Sequence, residues 1–137
     1  MKHILILLTL SAFALFSFGQ DKQEVIDRGI VSKKINEIII ADGEKTPHID
    51  KEEYFNAAGD LIEVKEFKDK GTTLVSWFKY KYDSKGMIIE ELELNIKGEQ
   101  KERIEHKYQN GLRSEKLYYD SKNRLAKKKT FSYEFRK

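Results

Sequence analysis

Residues 80–94 read YKYDSKGMIIEELEL: a strand, a tight turn and a second strand. Asp83-Ser84-Lys85-Gly86 has the chemistry of a type I turn closed by a left-handed residue. The Asp83 carboxylate can accept a bond from a backbone N–H two residues on, and Gly86 takes positive φ without a Cβ penalty. That is the three-residue hairpin loop with its bulge at the glycine. The register follows: Asp83 faces Met87, Tyr82 faces Ile88, Tyr80 faces Glu90, Phe78 faces Leu92 and Ser76 faces Leu94. On the opposite face Lys79 meets Glu91 and Trp77 meets Glu93. One face is then mostly apolar and the other carries complementary charge, and a one-residue slip would exchange the two.

Copies of this unit recur about every 25 to 27 residues toward the C-terminus. Further turns are expected at Asn56–Gly59, Lys68–Gly71, Asn95–Gly98, Asn110-Gly111 and Asp120–Asn123. Gly59 precedes Gly86 by 27 residues, and Gly86 precedes Gly111 by 25, which is a hairpin repeat. Asn110-Gly111 is the type I′ dipeptide of a two-residue loop. Asn123 stands where the other copies have Gly, and Asn is the best non-glycine residue for left-handed φ. The same registers place Glu93 beside Lys101, Glu91 beside Arg103, Glu90 beside Ile104, Ile104 beside Leu117 and His106 beside Glu115.

Upstream, residues 30–40 read as a strand ending in Ile38-Ile39-Ile40, before a turn at Asp42-Gly43. Residues 46–55 form the next strand, with Pro47 at its start, where a missing N–H costs least. Residues 20–29 read as an N-terminal arm with at most one helical turn around Val25 and Ile26. Residues 30–137 are thus expected to form an all-β domain, a single antiparallel up-and-down meander of about eight strands without a helix layer. A flat single layer buries little. Twist and bulges should curl it so that the apolar face is concave, or two copies should pack face to face as a homodimer.

Lys2 and His3 precede an apolar run of 13 residues, Ile4–Phe16, followed by Ser17 and Gly19 as the small residues of a cleavage site. This reads as a secretory signal peptide over residues 1–19, leaving a mature chain from Gln20 in the periplasm or outside the cell. The run is shorter than the roughly 20 residues of a membrane helix, so no integral membrane segment is expected after cleavage. There is no cysteine, which removes disulfides, thiolate metal sites and a lipid anchor on cysteine. Twenty-six basic residues nearly balance 23 acidic ones. Such a chain has no field to draw nucleic acid, and no nucleic-acid partner is expected.

No arrangement of residues points to catalysis, a metal or a cofactor. His48 and Asp50 share a strand face with Glu52, but few hard ligands with one imidazole specify no metal. His106 beside Glu115 resembles an acid–base pair without a nucleophile, which would make a small hydrolase only if a nucleophile and an orienting group joined it. Every expected turn glycine ends a hairpin, so no phosphate loop is present. Arg124 and Lys127–Lys129 form the one basic run. It suits an anionic partner such as lipopolysaccharide, or an edge strand protected against pairing by its lysines. The candidate partner-binding residues are Trp77, Tyr80, Tyr82, Glu90 and Tyr108. Tyrosines lining a β face can stack on sugars or hold a peptide, Glu90 is the one carboxylate expected among them, and Trp77 is expected on the charged face.

Tyr82-Asp83-Ser84-Lys85-Gly86-Met87-Ile88 and Tyr119-Asp120-Ser121-Lys122-Asn123-Arg124-Leu125 resemble YD-type, RHS-like repeats: aromatic, Asp, two variable residues, Gly, one residue, aliphatic. Phe55–Leu61 is a looser copy, and Tyr108-Gln109-Asn110-Gly111-Leu112 is similar to the MORN-type repeats of certain antitoxins. The resemblance spans roughly residues 50–135. It implies a small exported hairpin-repeat protein, too short to close the shell that long RHS proteins form. The expectation is a non-catalytic module that binds a protein or a glycan through its sheet surface. The alternative is an immunity or antitoxin-like protein that neutralises an exported toxin.

Overall fold

A computed structural model describes residues 18–136. The expected leader lies outside the described residues except for Phe18 and Gly19. Helix α1 (Phe18–Asp27) precedes eight strands: β1 (Ser32–Glu37), β2 (His48–Phe55), β3 (Leu61–Lys68), β4 (Thr73–Tyr82), β5 (Ile88–Leu94), β6 (Gln100–Gln109), β7 (Leu112–Tyr119) and β8 (Leu125–Thr130). They form one antiparallel sheet in chain order, and β1 does not pair with β8, so the sheet stays open. The all-β meander read from the sequence is the fold. The arm at 20–29 is mostly helix, where a single turn was expected. Its Lys22 ammonium lies 2.5 Å from Asp60, and Val25 is buried.

Four turns share one construction. The side-chain oxygen of Asn56, Asp83, Asn95 or Asp120 accepts two backbone N–H groups, two and four residues on, at 2.9 to 3.0 Å. Gly59, Gly86, Gly98 and Asn123 then take positive φ of 76°, 77°, 80° and 60°. Asn110-Gly111 is left-handed at both positions, as a two-residue hairpin requires. The turn after Lys68 differs, with Asp69, Lys70 and Gly71 all at positive φ.

The registers depart from expectation one step beyond each turn. Tyr82 pairs with Ile88 as expected, but Lys81 pairs with Glu90, so Ile89 is an extra residue in β5. Ile62, Val75, Lys101, Ser114 and Ala126 are skipped in the same way in the second strands of the other hairpins. Each is a β-bulge, in which two residues of one strand oppose one of its partner. Beyond the bulge the second strand is displaced by one residue. Tyr80 faces Glu91 rather than Glu90, Phe78 faces Glu93, and Lys79 faces Leu92. Glu91 pairs with Ile104, Ile104 with Tyr118, and His106 with Lys116 rather than Glu115. The division into one apolar and one charged face is therefore lost, and each face carries both kinds of side chain.

Three tyrosines close the ladders that these bulges open. The last paired residues of β3–β4 at that end are Glu63 and Lys79, those of β5–β6 are Glu90 and Glu105, and those of β7–β8 are Glu115 and Thr130. Just beyond each, a phenol hydroxyl donates to a backbone carbonyl at 2.7 Å: Tyr82 to Leu61, Tyr108 to Ile88 and Tyr133 to Arg113. The accepting residue is each time the one preceding the bulge. Tyr82, Tyr108 and Tyr133 recur at the hairpin repeat, and Phe55, without a hydroxyl, holds the corresponding place in the first copy.

The strand expected over residues 30–40 is shorter. Ile38 and Ile39 leave β1, and Ile40–Asp42 make a single 3-10 turn. The Glu44 carboxylate accepts the Ile39 N–H at 2.9 Å, and Gly43 is left-handed, which turns the chain early.

Tyr108→Phe leaves the Ile88 carbonyl without its partner and should lower stability in urea by about 1 kcal/mol. Gly59→Ala should cost more than Gly111→Ala, although both have positive φ. A Cβ at Gly59 would lie 2.8 Å from Ile26 and 2.9 Å from the Lys22 carbonyl, whereas Gly111 faces open space. About 2 kcal/mol against about 1 is expected by the same assay. Equal losses would mean that α1 does not rest on this turn.

Candidate binding surfaces on the two sheet faces

Strand alternation places Trp77, Glu63, Lys65, Lys79, Lys81, Glu90 and Arg103 on one face. The Trp77 indole N–H donates to Glu63 at 2.7 Å, and the Lys65 and Lys79 ammoniums lie 4.5 and 5.6 Å from its ring centroid. The indole edge rests on the β5–β6 turn, where a Cβ at Gly98 would come within 3.4 Å of it. Trp77 borders a shallow groove of about 250 Å³ with Leu74, Val75, Leu94, Asn95 and Ile96. Two of its walls are apolar and open to solvent, Val75 at 50% exposure and Ile96 at 74%. Val75 reaches solvent because it is the bulge residue of β4. Glu63, the partner of Trp77, also lines a second depression of about 350 Å³ with Lys79, Lys81, Glu90 and Leu92.

Glu90 was expected among the tyrosines. The bulge at Ile89 turns it to the Trp77 face instead, where Lys81 lies 2.8 Å and Arg103 3.6 Å away. Arg103 also pairs with Glu105 and stacks over Tyr119 with its guanidinium carbon 4.0 Å from the ring centroid. Of the carboxylates on the aromatic face, Glu91 is the one paired with Tyr80.

That second face carries Phe78, Tyr80, Glu91, Ile104, His106, Lys116 and Tyr118. The His106 side chain is 1% exposed, and its Nε2 lies 2.5 Å from Glu91 Oε1. Lys116 Nζ approaches the same oxygen at 3.6 Å. These bonds hold the Glu91 carboxyl below its ordinary range, the His106 hydrogen bond contributing most. Glu91 is thus ionised at neutral pH, and His106 Nε2 donates to it. His106 Nδ1 is buried without a hydrogen-bond partner among the described residues. Tyr80 stacks on Phe78 with centroids 6.4 Å apart, and burial pushes its phenol up to about 12. Tyr82 is also raised, chiefly by burial.

The five candidate residues are not brought together. Tyr82 and Tyr108 have committed their hydroxyls to backbone carbonyls, Tyr80 is stacked and half-buried, and Trp77 and Glu90 share the other face. The sequence reading missed Glu91 beside His106. The adjacent apolar pair Ile88-Ile89, which breaks strand alternation, is the signal that could have found it. His48 lies 3.4 Å from Glu37 and 3.5 Å from Glu44, while Glu52 is engaged by Lys34 and Tyr54. Among the described residues no group of three or more His, Asp or Glu could hold a metal ion, and no helix is long and apolar enough to cross a membrane.

No family model matches the chain, and neither a curated protein nor a solved structure shows significant similarity to it.

A carboxylate whose folded pKa lies below its unfolded value adds stability that is in place above the unfolded value and is lost as pH falls through the folded one. Glu91 should therefore titrate below the ordinary glutamate value of about 4.3 in a carboxyl-detected NMR titration. In His106→Ala the largest cause of the depression is gone, and the Glu91 midpoint should rise. An unmoved midpoint would mean that Lys116 alone sets it.

Proposed function

We propose that this chain is a non-catalytic, exported hairpin-repeat protein that binds a protein or a glycan through its sheet surface, on the Trp77 face. The observation that carries the reading is the Trp77 groove. There, an indole held by Glu63 and flanked by two lysines lies beside solvent-exposed Val75 and Ile96. A rigid aromatic with one polar handle and an apolar rim is the kind of anchor that dominates binding energy in protein contacts and stacks on sugar rings. Further support comes from the second depression, which carries charge of both signs and is lined by Glu63, the acceptor of the Trp77 indole N–H.

The other reactive side chains are engaged within the sheet. The His106 ring is shut away from solvent and bonded to Glu91, a setting that suits a structural pair better than an acid–base catalyst, which must reach its substrate. The Asx-type turns at Asn56, Asp83, Asn95 and Asp120 support the YD-repeat reading, because their bonds use the side-chain oxygen that such repeats place there. The apolar run Ile4–Phe16 with Ser17 and Gly19 behind it supports export.

The test is retention on the immobilised mature chain of envelope proteins and, separately, of a panel of glycans. Trp77→Ala should weaken retention of the partner at least about tenfold, the loss typical of a central aromatic anchor. Tyr82→Phe, which removes only an internal hydrogen bond, should leave it unchanged. A protein retained in one-to-one ratio would identify an interaction or immunity partner, and a retained glycan would identify a carbohydrate module. Retention by a folded Trp77→Ala chain equal to the parent's would overturn this surface.

A further inference from the structure

We infer that the His106 face carries an anion site for a phosphate monoester, built by Lys116, Lys127 and Lys129 around Tyr118. Strand alternation divides the basic run of β8. Lys128 points to the Trp77 face, where its ammonium lies 2.5 Å from Glu115. Lys127 and Lys129 point to the other face, and among the described residues no carboxylate lies within ion-pair distance of either. Tyr118 pairs directly with Lys127, and Lys116 directly with Lys129, so the four residues form a two-by-two block on adjacent strands.

The ammonium nitrogens of Lys127, Lys116 and Lys129 lie 3.9, 5.5 and 5.7 Å from the centroid of the Tyr118 ring. Tyr118 is only 9% exposed, so its position is fixed by the sheet. All three ammoniums lie within cation–π reach of this one ring, an attraction that offsets part of their mutual repulsion. Lysines serving only to block edge pairing need no such convergence, and on a strand edge they would spread into solvent.

The charge balance selects the ligand. Of the three ammoniums only Lys116 has a carboxylate within ion-pair distance among the described residues, Glu91 at 3.6 Å, which His106 already occupies. The excess is three minus one, or two positive charges. A dianionic phosphate monoester matches that excess, and lysine binds phosphate well as a point charge. This site lies on the opposite face from the Trp77 groove and does not depend on it.

The full mature chain would be titrated with glucose 6-phosphate, inorganic phosphate and methyl sulfate, following the Tyr118 ring resonances by NMR. The two phosphates should shift Tyr118 saturably and the monoanionic sulfate ester should bind more weakly. Affinity should fall as pH drops through about 6, where the phosphate loses its second charge. Lys127→Gln and Lys129→Gln should each weaken binding by about tenfold, whereas Lys128→Gln, with the same change in net charge, should alter it by less than about twofold. Circular dichroism should show all three variants folded, since β8 is solvent-exposed. Inorganic phosphate binding as well as the sugar phosphate would mean that the phosphoryl group alone is recognised. Tighter binding of the sugar phosphate would add the ring to the site. Equal losses in all three variants, or no saturable shift of Tyr118, would overturn the proposal.

Discussion

The phenol hydroxyls of Tyr82, Tyr108 and Tyr133 hold the sheet together where its own ladders part. The need for them follows from the architecture. A single layer has no second layer to pack against, and the buried apolar side chains among the described residues reduce to Val25, Val64, Leu94, Leu117 and Tyr118. Cohesion must therefore lie within the plane of the sheet. There an unpaired carbonyl near the bulge would leave an opening through which adjacent strands could separate. A tyrosine ring spans that opening, and its body adds apolar area while its hydroxyl supplies the missing donor. The repeat spacing of these tyrosines is thus a spacing of structural joints.

Charge is the second in-plane cement, of uneven value. Pairs such as Lys107–Glu115, Lys34–Glu52 and Lys81–Glu90 have a lysine that is mostly in water and contribute little singly. The Glu91–His106–Lys116 cluster differs because the imidazole is excluded from solvent. Removing Glu91 would strand a buried ring nitrogen, and removing His106 would leave a half-buried carboxylate with one distant lysine. Position in the sheet, rather than the type of charged residue, decides which pair matters.

The turns, the strand count and the up-and-down order were all legible in the sequence, because turn chemistry is local. Asp83 and Gly86 state their own conformations, and Asn110-Gly111 states the shorter loop. The register beyond each turn was not legible from strict alternation. Ile88-Ile89 and Leu61-Ile62 each place two apolar residues in succession, which a strictly alternating strand would not tolerate and a bulge accommodates. The bulge at Ile89 moved Glu90 away from the tyrosines and put Glu91 on the face of His106, and the bulge at Ser114 set Lys116 rather than Glu115 opposite His106. The placement of Trp77 among charged side chains was legible, because β4 is the first strand of its hairpin and carries its bulge near the preceding turn. The helix over 18–27 was missed because its stabilising contacts, Lys22 with Asp60 and the fit of Ile26 against Gly59, are tertiary.

The repeat also separates positions that hold the sheet from positions that do not. The residue five places before Phe55, Tyr82, Tyr108 and Tyr133 is respectively Asp50, Trp77, Arg103 and Lys128. Trp77, Arg103 and Lys128 fall on the same face, yet their chemistry differs in every copy. The tyrosines themselves do not vary, and the one substitution, Phe55, occurs where Phe55 N–H bonds instead to the Val31 carbonyl. A position that each hairpin must fill alike is holding the sheet. A position that each hairpin fills differently is free of that duty, and an indole, a guanidinium or an ammonium can stand there according to what the surface meets. Tyr82 and Tyr108 therefore belong to the frame, and Trp77 stands at a position free of that duty.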